Sequence, residues 1–255
     1  MKISVLAGTG PSTAILLNWL LGHGYDDLHL VLEARPSRMR QLRQRARRWG
    51  WRRTVGQAAF MAGIVPLLRS ESARRRAEVL AAHGLSDVFP SVPHRIDVRT
   101  VNDPVVTQHL RRRRPAVVLV NGTRIIRTNV LSAYSGPFIN THTGITPQYR
   151  GVHGGYWALR SGEPENFGVT LHLVDEGVDT GGILAQRTVT PTDQDNFETY
   201  PLLQQIASFE ALRDILNRIE RGEGMRTHKP SAGLGRQWPH PTLIEYVKGR
   251  LQGVK

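Results

Sequence analysis

The sequence predicts an α/β protein: a mostly parallel sheet with helices on both faces, and a basic helical insert after the second strand. Three observations carry this. Short apolar runs alternate with amphipathic stretches along most of the chain. One run, Ala116 to Val120, is apolar throughout and rich in valine, as a strand buried on both faces must be. The 255 residues, 40% of them apolar, are ample for one such core.

The elements follow in order. Ile3 to Ala7 reads as the first strand. Gly8-Thr-Gly10-Pro11-Ser12-Thr13 then makes a tight turn into a helix over 14–21, with Pro11 suited to its first turn. His29 to Leu32 is the second strand. Met39, Leu42, Ala46 and Trp49 recur at helical spacing, so a narrow apolar stripe runs along an Arg-covered helix. Val55 to Leu68 is nearly apolar all round, and Glu71 to Ala82 is again helical. Ile96 to Val98 reads as a strand, Pro104 to Leu110 as a helix, and Pro137 to Asn140 as a strand running into a polar loop. Val169 to Val174 alternates through Thr170 and His172, with Ile183 to Val189 to pair with it. Pro201 to Ile219 is a long amphipathic helix, and the Gly- and Pro-rich chain beyond Arg221 reads as an extended tail. The expected organisation is one Rossmann-like domain over 1–220, with the insert at about 35–82, and a C-terminal extension over 221–255.

Composition excludes several classes. With no Cys there is no disulfide scaffold, thiolate zinc site or Cys nucleophile. No stretch of 18 apolar residues is present, and the first residues lack the apolar core of a signal peptide, so a cytoplasmic protein is expected. The net charge is +13, and the segment from Arg35 to Arg76, with 13 Arg and one acid (Glu71), holds nearly all of the excess. Charge so localised points to a local device rather than a general nucleic-acid surface.

Sites in open parallel sheets lie beyond the carboxyl ends of the strands. Asn140-Thr-His142 stands at one such end, and Asp179 lies in the Gly-rich loop after Val174. An amide can donate to an oxyanion, an imidazole can relay a proton, and a carboxylate can orient the imidazole and raise its pKa. No nucleophile accompanies them, which suits direct transfer between two bound substrates. Their spacing is not that of a zinc site, so no metal is expected. His172, alternating within a strand, reads as a packed, hydrogen-bonded residue, while His153 beside Gly154-Gly155 is a candidate for substrate contact. Gly8, Gly10 and Ser12 have two functional readings: a phosphate cradle at a helix N-terminus, or a dinucleotide fingerprint with Glu33 as the ribose-binding acid. Thr13 stands where the fingerprint needs its third Gly, and Pro11 removes one donor amide.

Taken together, Asn140-Thr-His142, Pro147-Gln-Tyr149-Arg150-Gly151, Trp157-Ala158 and Gly168-Val-Thr-Leu-His-Leu-Val174-Asp-Glu-Gly-Val-Asp179-Thr-Gly-Gly resemble the 10-formyltetrahydrofolate-dependent formyltransferases. The resemblance is dense from about Ala116 to Val189 and looser from Met1 to Leu32. It implies Asn140, His142 and Asp179 as catalytic residues and 10-formyltetrahydrofolate as co-substrate. It also implies a pterin pocket built from Arg124, Ile125, Ile126, Val174 and Asp175. Gly8, Gly10, Ser12, Tyr149 and Arg150 are then expected to meet the acceptor.

Within that family, the short sequence after the last helix counts against the tRNA enzyme, and the immediate start at strand one against the folate hydrolase. The purine transformylase lacks an insert such as 35–82. The expected acceptor is an amino sugar on a nucleotide or lipid carrier. The alternatives are a glycinamide ribonucleotide-type transformylase, then a formyltetrahydrofolate hydrolase, a NAD-dependent dehydrogenase or a binding-only member. The insert has three readings: a helical subdomain packed on the core or on a second subunit, a surface for anionic membrane with Trp49 and Trp51 at the interface, or a nucleic-acid site. The last ranks lowest because no aromatic stacking platform accompanies the charge.

Overall fold

The computed structural model describes residues 1–228, 233 and 235–255. The first half runs β1 (Ile3–Gly8), α1 (Pro11–Gly22), β2 (Leu28–Glu33), α2 (Arg38–Trp49), α3 (Trp51–Ala59), α4 (Val65–Glu71), α5 (Ala73–Ala82), β3 (His94–Val98) and α6 (Pro104–Arg113). There follow β4 (Val117–Asn121), α7 (Thr128–Leu131), β5 (Phe138–His142), β6 (Arg150–Gly151), α8 (Gly154–Arg160), β7 (Gly168–Leu173), β8 (Ile183–Thr188), α9 (Tyr200–Glu220), β9 (Gln237–Trp238) and α10 (Leu243–Leu251).

The main sheet has the order β3-β2-β1-β4-β5-β7-β8. The first five strands of that order are parallel, and β7 and β8 join antiparallel, β8 pairing with β7 as expected. Strand order reverses between β1 and β4, so their carboxyl ends open a crevice. The crevice is tight at one point: a Cβ on Gly8 would meet the carbonyl oxygen of Gly122 at 2.4 Å. On one face, α1 and α9 bury Leu17, Leu20, Leu212 and Leu216 against Val5, Leu30 and Leu119. On the other, Val106 and Leu110 of α6 and Val130 of α7 cover Leu6, Val31 and Val118.

The insert is helical, as expected, and its apolar stretch turns inward. Helix α3 passes through a π turn over Phe60–Ile64 into α4. Phe60, Val65 and Leu68 join Tyr156, Trp157, Phe197 and Tyr246 in a third, aromatic-rich core. The 55–68 stretch thus buries one face in the core, while Val55 and Leu67 on it, and Trp51 just before it, remain exposed. Ion pairs fasten the insert to the rest: Arg53 to Glu245 at 2.7 Å, Arg69 to Glu198 at 2.9 Å and Arg75 to Asp195 at 2.9 Å. Asp195 is fully buried, and its carboxylate also accepts from the Thr192 amide and hydroxyl, so that pair is well hydrogen-bonded in the manner burial demands.

The extended-tail reading of 221–255 is corrected. Residues 229–232 and 234 lie outside the described residues, but β9 pairs in parallel with β6, and α10 packs against α3. Helix α10 opens with a full capping box, the Thr242 hydroxyl accepting from the Glu245 amide while the Glu245 carboxylate accepts from the Thr242 amide. Among the described residues no helix is long and apolar enough to cross a membrane.

The inward packing of the insert predicts a contrast in stability. Phe60→Ala should cost about 3–5 kcal/mol, the range for emptying a buried aromatic site. Trp51→Ala, at a position 63% exposed, should stay within about 0.5 kcal/mol. Urea unfolding of both variants checks this; equal, small losses would show that the stretch is not core.

Candidate active site

Asn140 and His142 leave the end of β5, and Asp179 sits on the loop that joins β7 to β8. The three meet in a cleft of about 310 Å³. Its opposite wall is the segment after β4, from Gly122 to Ile126. A larger recess of about 620 Å³ lies between β8 and α9, but it holds none of these groups.

The hydrogen bonds fix the chemical state of each side chain. His142 is buried, and its Nε2 lies 2.8 Å from the Tyr149 carbonyl oxygen. A carbonyl only accepts, so Nε2 carries the hydrogen and Nδ1 is the ring atom left for proton chemistry. Nδ1 faces Asp179 Oδ2 at 3.5 Å. Burial lowers the His142 pKa, partly offset by the Asp179 charge and the Tyr149 bond. The imidazole therefore rests neutral, with a lone pair toward a carboxylate.

Asp179 shows the opposite balance. Burial works to protonate it, but the neighbouring His172 and His142 and the Gly151 amide at 3.0 Å outweigh burial and hold its pKa below the usual carboxylate value. Its backbone has φ +52°, a left-handed conformation in which Asp is one of the few tolerated residues. The loop is tied down on both sides. Asp175 Oδ1 accepts from the Gly177 amide and the Thr180 hydroxyl, and the Thr128 hydroxyl on α7 donates to Glu176 at 2.7 Å.

His172 belongs to this group, which strand alternation alone did not reveal. It is buried and hydrogen-bonded as expected, but its partners are Asn140 and Asp179. Its Nδ1 donates to the Leu173 carbonyl at 2.8 Å, so its Nε2 accepts from Asn140 Nδ2 at 3.1 Å. A register irregularity between Leu171 and His172, where β7 pairs with β8, accompanies this placement. Asn140 keeps one N–H and its oxygen free for the cleft.

The expected pterin-pocket residues all line this cleft: Arg124, Ile125, Ile126, Val174 and Asp175. Exposed Ile125, with Val174 beyond, offers an apolar wall, and the backbone of 122–126 offers a polar edge. That combination fits a flat heterocycle with hydrogen-bonding edges. Arg124 is partly engaged, donating from its guanidinium to the Ala34 carbonyl and from its amide to Glu33.

The expected acceptor contacts divide. Tyr149 turns away from the cleft: its ring is buried, stacks on Trp238, and donates its hydroxyl to Glu163. Arg150 holds the active loop instead of lining the cleft, donating from Nε to the Val178 carbonyl at 2.9 Å. Gly8, Gly10 and Ser12 border a recess of about 140 Å³ beside Glu33 and Arg35. The Gly10 amide donates to Gly8, Pro11 has none, and Thr13 and Ala14 beyond the turn donate to Gly10. Glu33 accepts from the amides of Val101 and Arg124, which makes it a structural acid rather than a ribose ligand. His153 lies outside the cleft, paired with His240 at 3.0 Å. Among the described residues no cluster of metal-binding side chains is found.

Residues 56–212 match the family described as Formyl transferase. Over 154 residues the chain is 32% identical to a methionyl-tRNA formyltransferase of Myxococcus xanthus, covering 60% of this chain and 47% of that protein. It is 30% identical to a phosphoribosylglycinamide formyltransferase of Bacillus subtilis, covering 53% and 71%. The chain spans about half or less of the length of several relatives it matches. A sugar N-formyltransferase from a Shewanella species shares the fold at TM-score 0.55 and 15% identity, over 93% of this chain and 76% of that one. Glycinamide ribonucleotide transformylase 1 from Symbiobacterium toebii does so at TM-score 0.55 and 18% identity, over 90% and 94%. A family match across more than half of its length, carried on a sheet and cleft of this form, makes the chain a member of the formyl transferase family.

Proposed function

We propose that this protein transfers the formyl group of 10-formyltetrahydrofolate to a primary amine, and that the amine is an amino sugar on a nucleotide or lipid carrier. The observation that carries the transfer is the convergence of Asn140, His142 and Asp179 on one cleft whose other wall suits a pterin. Two lines support the amino sugar. One fold relative is itself a sugar N-formyltransferase. The Gly8–Ser12 turn, which a glycinamide ribonucleotide would need as a phosphate cradle, has its Gly10 amide engaged and none at Pro11. The names of the curated relatives, methionyl-tRNA and phosphoribosylglycinamide formyltransferases, supply the competing acceptors.

When bound, the folate supplies a formyl carbon open to attack. The chain's own residues then have separable duties. The free N–H of Asn140 donates to the formyl oxygen as negative charge gathers there. The neutral His142 accepts at Nδ1 the proton that the attacking amine must lose. Asp179, 3.5 Å from that nitrogen, stabilises the imidazolium that results. The same proton returns from His142 to the departing nitrogen, so no net proton is left on the enzyme. His172 acts on Asn140 and Asp179 together and keeps both in position.

The test is amide formation from labelled 10-formyltetrahydrofolate across a panel of nucleotide-linked amino sugars, glycinamide ribonucleotide and methionyl-tRNA. His142→Ala and Asp179→Asn should each lower turnover by about two to four orders of magnitude with the fold retained. Near-wild-type turnover in either variant would remove these residues from the mechanism. A second expectation concerns protonation. By histidine NMR, His142 should titrate below the ordinary 6.5, and Asp179→Asn should push it lower still, because the carboxylate is what favours the charged ring. A rise on that substitution would reverse the assigned coupling.

A further inference from the structure

A second cavity, of about 240 Å³, lies on the other side of Gly151 and Val178 from the reacting groups; both residues line both spaces. Helices α2 and α3 and the segment 237–240 make its remaining walls. The mechanism uses none of these residues.

The charge of this cavity is one-sided. Arg45 and Arg48, one turn apart on α2, both line it, and no Asp or Glu does. Arg48 lies over the Trp49 ring at 5.4 Å and donates to the Gln237 side chain. Arg45 is half-buried and belongs to none of the ion pairs that anchor the insert, which use Arg53, Arg69, Arg75 and Arg76. Burial disfavours its charge, with no acid to compensate. The His153–His240 pair beside it is held neutral by burial, reinforced for both rings by the Arg45 charge, His153 being lowered to about 4. Gln57 adds an independent sign. It is 1% exposed and lines the same space. Its Nε2 donates to the His240 carbonyl at 2.7 Å, which leaves Oε1 without a partner. A buried acceptor left unpaired is costly, and a ligand hydroxyl would satisfy it.

We propose that this cavity receives a phosphate of the amine acceptor on Arg45 and Arg48, with the acceptor running past Val178 so that its amine reaches Asp179. The assignment rests on the formyl-transfer reading for the amine end of that ligand. The polarity of the two adjoining spaces supports it: a carboxylate lies in one and two guanidinium groups in the other. The turn at Gly8 to Ser12 is the weaker candidate, because its Gly10 amide is engaged, Pro11 has none and the Glu33 carboxylate lines the same recess. A space of about 240 Å³ also suits one small phosphorylated molecule better than a polynucleotide lying along the open Arg face.

The experiment is calorimetric titration of the full chain with inorganic pyrophosphate at moderate salt, where attraction to exposed charge is screened. Wild-type protein should bind it, and Arg45→Gln and Arg48→Gln should each weaken binding by about tenfold or more, as expected for one charged hydrogen-bonding partner. A double substitution of Arg43→Gln and Arg47→Gln, on the exposed face of the same helix, should change it by less than about twofold. Absence of pyrophosphate binding, or equal loss in the double variant, overturns the proposal; the latter would mark the open Arg face as the anion surface. A 5-deazafolate analogue, read by melting temperature, separates the two claims and checks folding. If the analogue stabilises every variant and pyrophosphate does not bind, the anion site fails and formyl transfer stands. If pyrophosphate follows the predicted pattern and the analogue never binds, the reverse holds. Should Arg45→Gln unfold, Arg48→Gln, at a more exposed position, decides the question.

Discussion

The site depends on one constraint: a carboxylate buried at Asp179 must stay ionised and aimed at His142. Burial alone would protonate it. The Gly151 amide donates to it, and His172 and His142 lie beside its two oxygens. Gly151 in turn is positioned by β9. Its backbone has φ +102°, and a Cβ there would meet the Trp238 carbonyl oxygen at 2.3 Å. Val152 completes the contact by donating its amide to that same carbonyl. The Arg150 guanidinium grips the loop one residue before Asp179, at the Val178 carbonyl. A chain of backbone contacts therefore runs from the C-terminal segment, through β6, to the Asp179 carboxylate.

This arrangement explains the limits of the sequence reading. Most of the parallel strands were legible because they are short apolar runs with their own boundaries, and β4 in particular is buried on both faces; β3, with His94, Arg95 and Asp97, showed only its last part. The triad was legible through its resemblance to a family, since an Asn and a His after a strand carry little meaning alone. His172 was only half legible: alternation gives burial, but the register irregularity beside it follows no period. The C-terminal segment was missed because a two-residue strand has no pattern, although Thr242-x-x-Glu245 ahead of an apolar stretch was a readable helix start. The apolar stretch at 55–68 was ambiguous for a different reason. Periodicity cannot tell a helix buried in protein from one buried in lipid; the contacts of Phe60, Val65 and Leu68 with Tyr156, Phe197 and Tyr246 show that this face is buried in protein.

The basic segment likewise resolves into parts with different work. Arg53, Arg69, Arg75 and Arg76 pair with acids outside the helices that carry them, so part of the excess is structural stitching. Arg43 and Arg47 face solvent. Arg45 and Arg48 face the cavity beside the Asp179 loop. A single count of charge conceals these three groups, and burial with partners separates them. The insert is thus joined physically to the site: α2 and α3 wall one side of the space that β6 and β9 close on the other.

The most direct test of the central claim is titration of the Asp179 carboxyl by carbon NMR, assigned through Asp179→Asn. The account predicts a pKa below the ordinary 3.8, because His172, His142 and the Gly151 amide together outweigh burial. A carboxyl that titrates above that value, or stays protonated near neutrality, would contradict it.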